Sequence, residues 1–281
     1  MTIPHAPLGP HAYSTDLTDE EWAIAEPHIP VPVHVPNLQV PLHHRRIILN
    51  AIMYVLRSGC QWRLLPNDFP PWQSVFYVFN KWRRDGVVKE VHDALRTQLR
   101  VAEGRNPTPS LGIVDSQSVK TTELAEERGF DAGKKVKGRK RHIVVDVLGL
   151  IVAVVVTAAS VQDRDGAIPV VTEAKADCPT ITKVLADSAY KGAAIDALEA
   201  SMSVDVEVTE RPSGTKGFIP VRKRWIVERT FAWIGRYRRT SKDYERLANT
   251  QEAIVRWAMI RLMLRRLVEI EASGQVLGRD A

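Results

Sequence analysis

Two acids in this chain stand at the same point of the same local pattern. In LGIVDSQS, residues 111–118, the β-branched pair Ile113 and Val114 runs into Asp115, and small polar residues follow. In ITKVLADSAYKG, residues 181–192, the run Val184, Leu185 and Ala186 leads into Asp187. A short apolar run closed by turn residues reads as a buried strand, so each carboxylate is delivered at a strand's far end. A carboxylate beside a core is costly unless it is paired or holds a cation. A third acid, Glu228, sits inside the basic helical pattern RKRWIVERTFAWIGRYRRT. One such acid alone would be a turn residue or a helix cap. Two strand-end acids and a helical Glu in a basic surround point instead to a metal site.

An all-oxygen donor set suits Mg²⁺, with Mn²⁺ as a substitute, because these ions prefer carboxylates and retained waters. In-line displacement at a phosphodiester needs the attacking and leaving oxygens stabilised together, which two divalent ions about 3.5–4 Å apart can do. Asp115, Asp187 and Glu228 are therefore the candidate catalytic and metal-binding residues. No histidine cluster competes, since His142 is the one histidine beyond residue 92. Cys60 and Cys178 stand far apart with no CxxC spacing, which argues against a zinc site or a disulfide framework. The rival acids have simpler roles. Asp146 precedes the VLG turn, and Asp163 and Asp165 open a helical stretch, where acids favour the helix dipole.

The formal net charge is +6 and the pI about 9.4. From Pro220 to Arg266 thirteen Lys and Arg face four acids, an excess of nine, so the remainder of the chain is slightly acidic. Concentrated positive charge with little interleaved Glu is the footprint of a polyanion, and nucleic acid is favoured. A second basic cluster comprises Lys134, Lys135, Lys137, Arg139, Lys140 and Arg141. No apolar run reaches the roughly 18 residues of a spanning helix, and the N-terminus lacks the basic and apolar regions of a signal peptide. A cytoplasmic, nucleoid-associated protein is expected.

The elements that must position these residues fall into two groups. Up to residue 102 the pattern is helical. Thr18 and Glu21 form a capping box before a helix reaching about His28. The proline-rich IPVPVHVP is a connector. A second helix is expected from Pro41 to a stop at Gly59, a third over 74–85 and a fourth over 87–101. Lys81, Arg83 and Arg84 on the third helix fit a helix-turn-helix-like DNA-docking unit, against the plainer reading of a helical bundle. EGRNPTPS, residues 103–110, is a linker by composition and the expected domain boundary.

Beyond it, strands are expected over 111–116, 142–147, 150–158, 181–187 and 204–209. Helices are expected over 163–176, 192–201, 220–239 and 251–271. Three strands, then helix, strand, helix, strand and helix is the order of an RNase H-like fold. The expected architecture is thus α/β: an RNase H-like catalytic domain with a mixed five-stranded sheet over 111–281, preceded by a small all-α domain over 1–102. In that topology the first and fourth strands are parallel neighbours, so Asp115 and Asp187 emerge together where open α/β sheets bind ligands. The helix bearing Glu228 closes the site.

The motifs DSQSVK, GKKVKGRKRHIVVDVLGL, ADSAYKG and RWIVERTFAWIGRYRRTSKDYER together resemble the DDE transposases of bacterial insertion sequences, in the family named after insertion sequence five. The resemblance implies that Asp115, Asp187 and Glu228 are the three catalytic acids. It also places a phosphate-contacting Arg four residues before the Glu, and Arg224 fits. Where relatives carry a Tyr and a Lys on this helix, the present chain has Val221 and Gly235, with Arg236 the nearest substitute for the Lys. Hairpin-forming relatives carry a large insertion before this helix; only residues 210–219 lie there. The alternative for Arg224 is an i,i+4 ion pair with Glu228, worth a few tenths of a kcal/mol.

The expectation that follows is a transposase: Mg²⁺-dependent cleavage at the ends of its own element, then transfer of the 3′-hydroxyl into target DNA. Phosphate contacts are expected from the second basic cluster and from Lys191, Arg224, Arg229, Arg236, Arg238 and Arg239. Residues 16–100 are expected to recognise terminal inverted repeats. Joining two DNA ends requires two active sites, hence a homodimer on DNA. The rival readings are an RNase H-like nuclease or resolvase without strand transfer, and a catalytically silent DNA-binding regulator.

Overall fold

The computed structural model describes residues 13–31, 44–208 and 223–274. Most of the proline-rich connector, the expected helix start at Pro41 and the connection over 209–222 lie outside the described residues.

Four helices come first. Helix α1, Asp19–Ala25, begins with the expected capping box, in which Thr18 and Glu21 each accept the other's backbone N–H. A 3₁₀ turn, Glu26–His28, continues it. Helix α2, Arg45–Ser58, stops at Gly59, whose left-handed φ of 70° places it where a Cβ would meet Arg238 at 2.8 Å. Helices α3, Trp72–Arg84, and α4, Val87–Ala102, follow.

The second part is built on a mixed sheet. Its strands are β1, Leu111–Lys120; β2, Gly129–Asp131; β3, Val136–Val145; β4, Ile151–Ala158; β5, Lys183–Ala186; and β6, Asp205–Val208. The path runs β2-β3-β1-β5-β6, with β4 also on β3. β2 pairs with the start of β3 and β4 with the rest, so both lie along one edge of that strand. β1 is antiparallel to β3 and parallel to β5, and β5 is parallel to β6. Among the described residues the sheet therefore has six strands and not the expected five. The extra one, β2, spans only three residues and sits inside a polar stretch, too short to leave a periodic signal.

Helices α5, Asp163–Asp177, α6, Ala193–Met202, α7, Arg224–Gly235, and α8, Ala248–Ala272, complete the fold. The 3₁₀ turn Arg238–Thr240 separates α7 from α8, so the helix expected over 220–239 ends earlier, at Gly235.

Alternation along the strands sorts side chains between two apolar layers. Val114, Val144, Val152, Val184 and Ala186 join buried residues of α5 and α6. Ile113, Ile143, Val145, Ile151 and Leu185 face the other way, into a cluster with Val227 of α7 and Trp257 of α8. Leu49 of α2, Phe79 of α3 and Leu95 of α4 belong to that same cluster. The N-terminal helices and the sheet thus share one core. Helix α8 is its axis. Its buried residues cover nearly the whole circumference, the pattern of a helix enclosed on all sides, and Trp257 meets Trp82 of α3 at 6.0 Å between ring centroids.

Candidate active site

The parallel ladder between β1 and β5 ends at Ile113 and Leu185. Two residues further along each chain stand Asp115 and Asp187. Both share the alternation of Ile113 and Leu185, so both lie on the face that carries α7. β5 stops at Ala186, whereas β1 continues for five residues beyond Asp115, paired with β3 from Asp115–Ile143 to Lys120–Gly138. Asp115 is therefore not at a strand end, as its sequence pattern implies. It sits mid-strand, at the notch where the neighbouring strand gives out.

The electrostatics of that notch are unbalanced. Burial pushes the Asp115 carboxyl up from its ordinary 3.8 to about 6, and the charge of Asp187 adds to the rise. The backbone N–H of Ser116, which donates to Asp115 at 2.7 Å, opposes it, as do Arg224 and Lys134. Two carboxylates close enough to repel, one of them largely shielded from water, form a site that favours a cation.

Helix α7 brings the positive charge. Its buried residues Ile226, Val227, Thr230 and Ile234 lie against the sheet. The Thr230 hydroxyl donates to the Gly149 carbonyl at 2.7 Å and Arg229 to the Leu148 carbonyl at 3.0 Å, tying α7 to the β3–β4 turn. On one flank of this buried stripe lie Arg224 and Glu228, one turn apart. Arg224 approaches Asp187 at 3.4 Å. The expected alternative partner, Glu228, is exposed and makes no ion pair among the described residues. Asp115, Asp187 and Arg224 are thus gathered, while Glu228 lies beside them on the helix.

On the other face of β1, Ser116 donates to Asp163 at the start of α5 at 2.8 Å. Lys140 pairs with Asp163 at 2.7 Å and with Asp131 at 3.5 Å. Burial would raise the Asp163 carboxyl, but the bonds from Lys140 and Ser116 prevail and hold it below its usual range. Lys134 reaches the Ser116 carbonyl at 3.2 Å. Asp146 is a turn residue as expected, accepting the backbone N–H of Leu148 and of Leu150, and it also pairs with buried Arg100.

The basic residues divide by burial. Lys134, Lys135 and Lys137 are exposed, as are Lys191, Arg236 and Arg238. Arg139, Lys140 and Arg141, the rest of the cluster expected to meet phosphate, are buried. Arg139 pairs with Asp243, both side chains fully enclosed, at 3.0 Å. Arg141 donates to the Thr240 carbonyl at 2.8 Å and to Gln117 at 3.2 Å. The physical reason is the length of β3, which starts at Val136 and carries these residues into the sheet. Arg239 is likewise buried, paired with Glu245 at 2.7 Å. Arg229 is held between the rings of Trp225 and Trp233, at 4.6 and 4.5 Å. Arg139, Lys140, Arg141 and Arg239 are thus spent inside the protein, and half-buried Arg229 is spent on its two tryptophans.

One residue at the site carries no sequence expectation. Tyr190 lies in the turn after β5, its N–H bonded to the Asp187 carbonyl at 3.1 Å. It is fully buried. Burial and the charges of Asp115, Asp163 and Asp187 raise its hydroxyl well above the usual range. That hydroxyl lies near Ser116 without a well-formed hydrogen bond. The available signal was an aromatic three residues after a strand-end acid.

Among the described residues no three of His, Cys, Asp and Glu are gathered closely enough to hold a metal ion, and no helix is long and apolar enough to cross a membrane. Residues 106–263 match the model of the "Transposase DDE domain", which implies an RNase H-like fold. Residues 17–92 match a model for transposases of the IS4/5 family. The "Insertion element IS402 uncharacterized 16.2 kDa protein" of Burkholderia cepacia is 28% identical over 120 residues, covering 40% of this chain and 78% of that protein. With the DDE domain spanning more than half of its length, the chain belongs to the DDE transposases of insertion sequences.

Proposed function

We propose that this protein cuts DNA at the ends of its own element and transfers the freed 3′-hydroxyl into target DNA, with Asp115, Asp187 and Glu228 as the catalytic carboxylates. The observation that carries this reading is the meeting of Asp115 and Asp187 at the notch between β1 and β5, with burial and mutual repulsion raising the Asp115 carboxyl to about 6.

The donor set fits Mg²⁺, which is commonly held by one or two carboxylates completed by water and substrate phosphate. Asp115 and Asp187 would hold the ion, and Glu228, beside Arg224 on α7, would add a third oxygen donor. When bound, the ion supplies charge stabilisation at the phosphoryl oxygens and a lowered pKa for the attacking water or hydroxyl. The chain's own groups do the rest. The Arg224 guanidinium, 3.4 Å from Asp187, orients that carboxylate and offers parallel N–H donors to a phosphate. Lys134, half exposed beside Ser116, adds a second phosphate donor at the same edge. Tyr190 fills the space behind the acids and keeps water out. The N-terminal helices recognise the terminal repeats, with Lys81, Arg83 and Arg84 of α3 towards the DNA, and two copies act on two ends. The site of action is the cytoplasm, at the nucleoid.

The test is a strand-transfer assay with DNA from the flanks of the encoding gene. A pre-cleaved end with a free 3′-hydroxyl, supplied with Mg²⁺ and a plasmid, becomes joined to that plasmid. Cleavage without joining would make the protein a nuclease or resolvase, and binding without cleavage a regulator; either overturns the proposal.

A further inference from the structure

The flank of α7 opposite Arg224 and Glu228 borders a cleft of about 280 Å³. Its walls come from four distant parts of the chain: the turn before α1, α2, the end of α7, and α8. Arg57, Arg236, Arg261 and Arg265 all line it, together with Thr15 and Tyr237.

Among the described residues the arginines outnumber the acid that pairs with them. Arg261 pairs with Glu21, and Arg265 lies 3.9 Å from the same carboxylate. Arg57 donates to the Arg236 backbone carbonyl at 2.6 Å, and Arg261 to the Asp16 carbonyl at 3.1 Å. Carbonyls orient a guanidinium without cancelling its charge. One carboxylate, Glu21, is thus shared between two of the four cations. Burial draws Arg261 below its usual pKa, and Arg265 adds to that effect while Glu21 opposes it. The buried hydroxyl of Thr15, in the same wall, has no hydrogen-bond partner among the described residues.

Converging cations cost Coulomb energy unless an anion joins them. The cleft has room for a group several times larger than a water, whose share of liquid volume is about 30 Å³. A phosphodiester brings one negative charge and two oxygens that accept paired N–H bonds from Arg. We propose that this cleft binds a backbone phosphate of DNA and thereby holds the N-terminal helices and the catalytic half on one duplex. It rests on the transposase reading for the identity of its ligand. It also places Arg236 here, on the flank of α7 away from the acids, and not as the active-site lysine's substitute.

The experiment uses the full chain, a fluorescent duplex of arbitrary sequence, and inorganic phosphate. Arg57 is exposed and the Arg265 side chain is 57% exposed, so Arg57→Gln and Arg265→Gln leave the fold intact. Each is expected to reduce the slope of log K against log salt by about 0.9, the loss of one phosphate contact. Arg265→Lys, which keeps the charge, restores most of it. Inorganic phosphate is expected to raise the melting temperature of the wild type and not of Arg57→Gln/Arg265→Gln. Arg105→Gln, an exposed arginine elsewhere, changes neither readout. Unchanged slopes in both cleft variants overturn the proposal. An unchanged slope with the phosphate effect abolished means a site for free phosphate, which overturns the DNA assignment. An equal fall in Arg105→Gln reduces the effect to net charge and also overturns it. Failure of end cleavage alongside altered slopes sinks the transposase reading and leaves the cleft standing.

Discussion

Replacing Asp115 by Asn separates catalysis from stability, and the two effects have opposite signs. The carboxyl is raised from 3.8 to about 6 by burial and then by Asp187. A group whose pKa is raised on folding helps the fold while protonated. That help is complete below pH 3.8 and is lost as the pH climbs through about 6. A tenfold weakening of proton release corresponds to about 1.4 kcal/mol, so the ionised Asp115 costs the metal-free protein about 3 kcal/mol above pH 6. Asn keeps the acceptor for the Ser116 N–H, bonded at 2.7 Å, and removes the charge. The attraction to Arg224 and Lys134 is already contained in that net rise, and an amide that fits the notch less well than the carboxylate returns part of the gain. Asp115→Asn is therefore expected to be about 1–3 kcal/mol more stable than the wild type at pH 8 without divalent metal. In a chain of this size that is a rise of several degrees, at roughly 2–4 °C per kcal/mol. The advantage shrinks by about half at pH 5 and vanishes near pH 4. Added Mg²⁺ narrows the gap at pH 8, because an ion that binds only the native wild type stabilises it. DNA cleavage by the variant falls to background. Differential scanning calorimetry across pH 4–8, with and without Mg²⁺, provides the check. A variant melting at or below the wild type at pH 8, without metal, would refute an electrostatically destabilised Asp115.

Arg224→Lys keeps the charge but loses the planar fork that faces Asp187 at 3.4 Å. Cleavage is expected to drop at least about tenfold, the equivalent of 1.4 kcal/mol, whereas Arg238→Lys or Lys242→Arg costs little; near wild-type rates for Arg224→Lys would exclude the bidentate role. Burial splits the second basic cluster. Substituting Lys134, Lys135 and Lys137 by Gln lowers the salt slope of DNA binding and leaves the fold unchanged, while Arg139→Gln takes the ion-pair partner from fully enclosed Asp243, leaving it the Glu245 N–H, and costs about 3 kcal/mol. Urea melts and binding titrations in graded salt separate the two, and equal behaviour would contradict the division. Tyr190→Phe removes a buried hydroxyl lacking a hydrogen-bond partner among the described residues, so its stability is expected to stay within about 1 kcal/mol of the wild type; a loss above about 2 kcal/mol in the same melts would show that the hydroxyl is firmly bonded.

Much of this protein was legible in its sequence because the signals were local. The capping box of Thr18 and Glu21 lies within one turn, and the stop at Gly59 needs only that residue's freedom at positive φ. The apolar runs before Asp115 and Asp187 announce strands, and the strand order then makes those strands parallel neighbours. The family follows from motifs spread over the same stretch. What the sequence could not decide was which side chains face water. GKKVKGRKR reads as one basic cluster, yet the pairing of β3 on both edges draws Arg139, Lys140 and Arg141 inward and leaves Lys134, Lys135 and Lys137 outside. Pairing with β3 also carries β1 past Asp115, so the carboxylate becomes mid-strand and largely enclosed. Tyr190 and the cleft arginines have meaning only through neighbours brought together from distant segments, such as Arg57 and Arg265. Local periodicity fixes an element and its two faces. Which of those faces meets another element, and which charges are thereby buried, is set by long-range packing, and only the tertiary structure decides it.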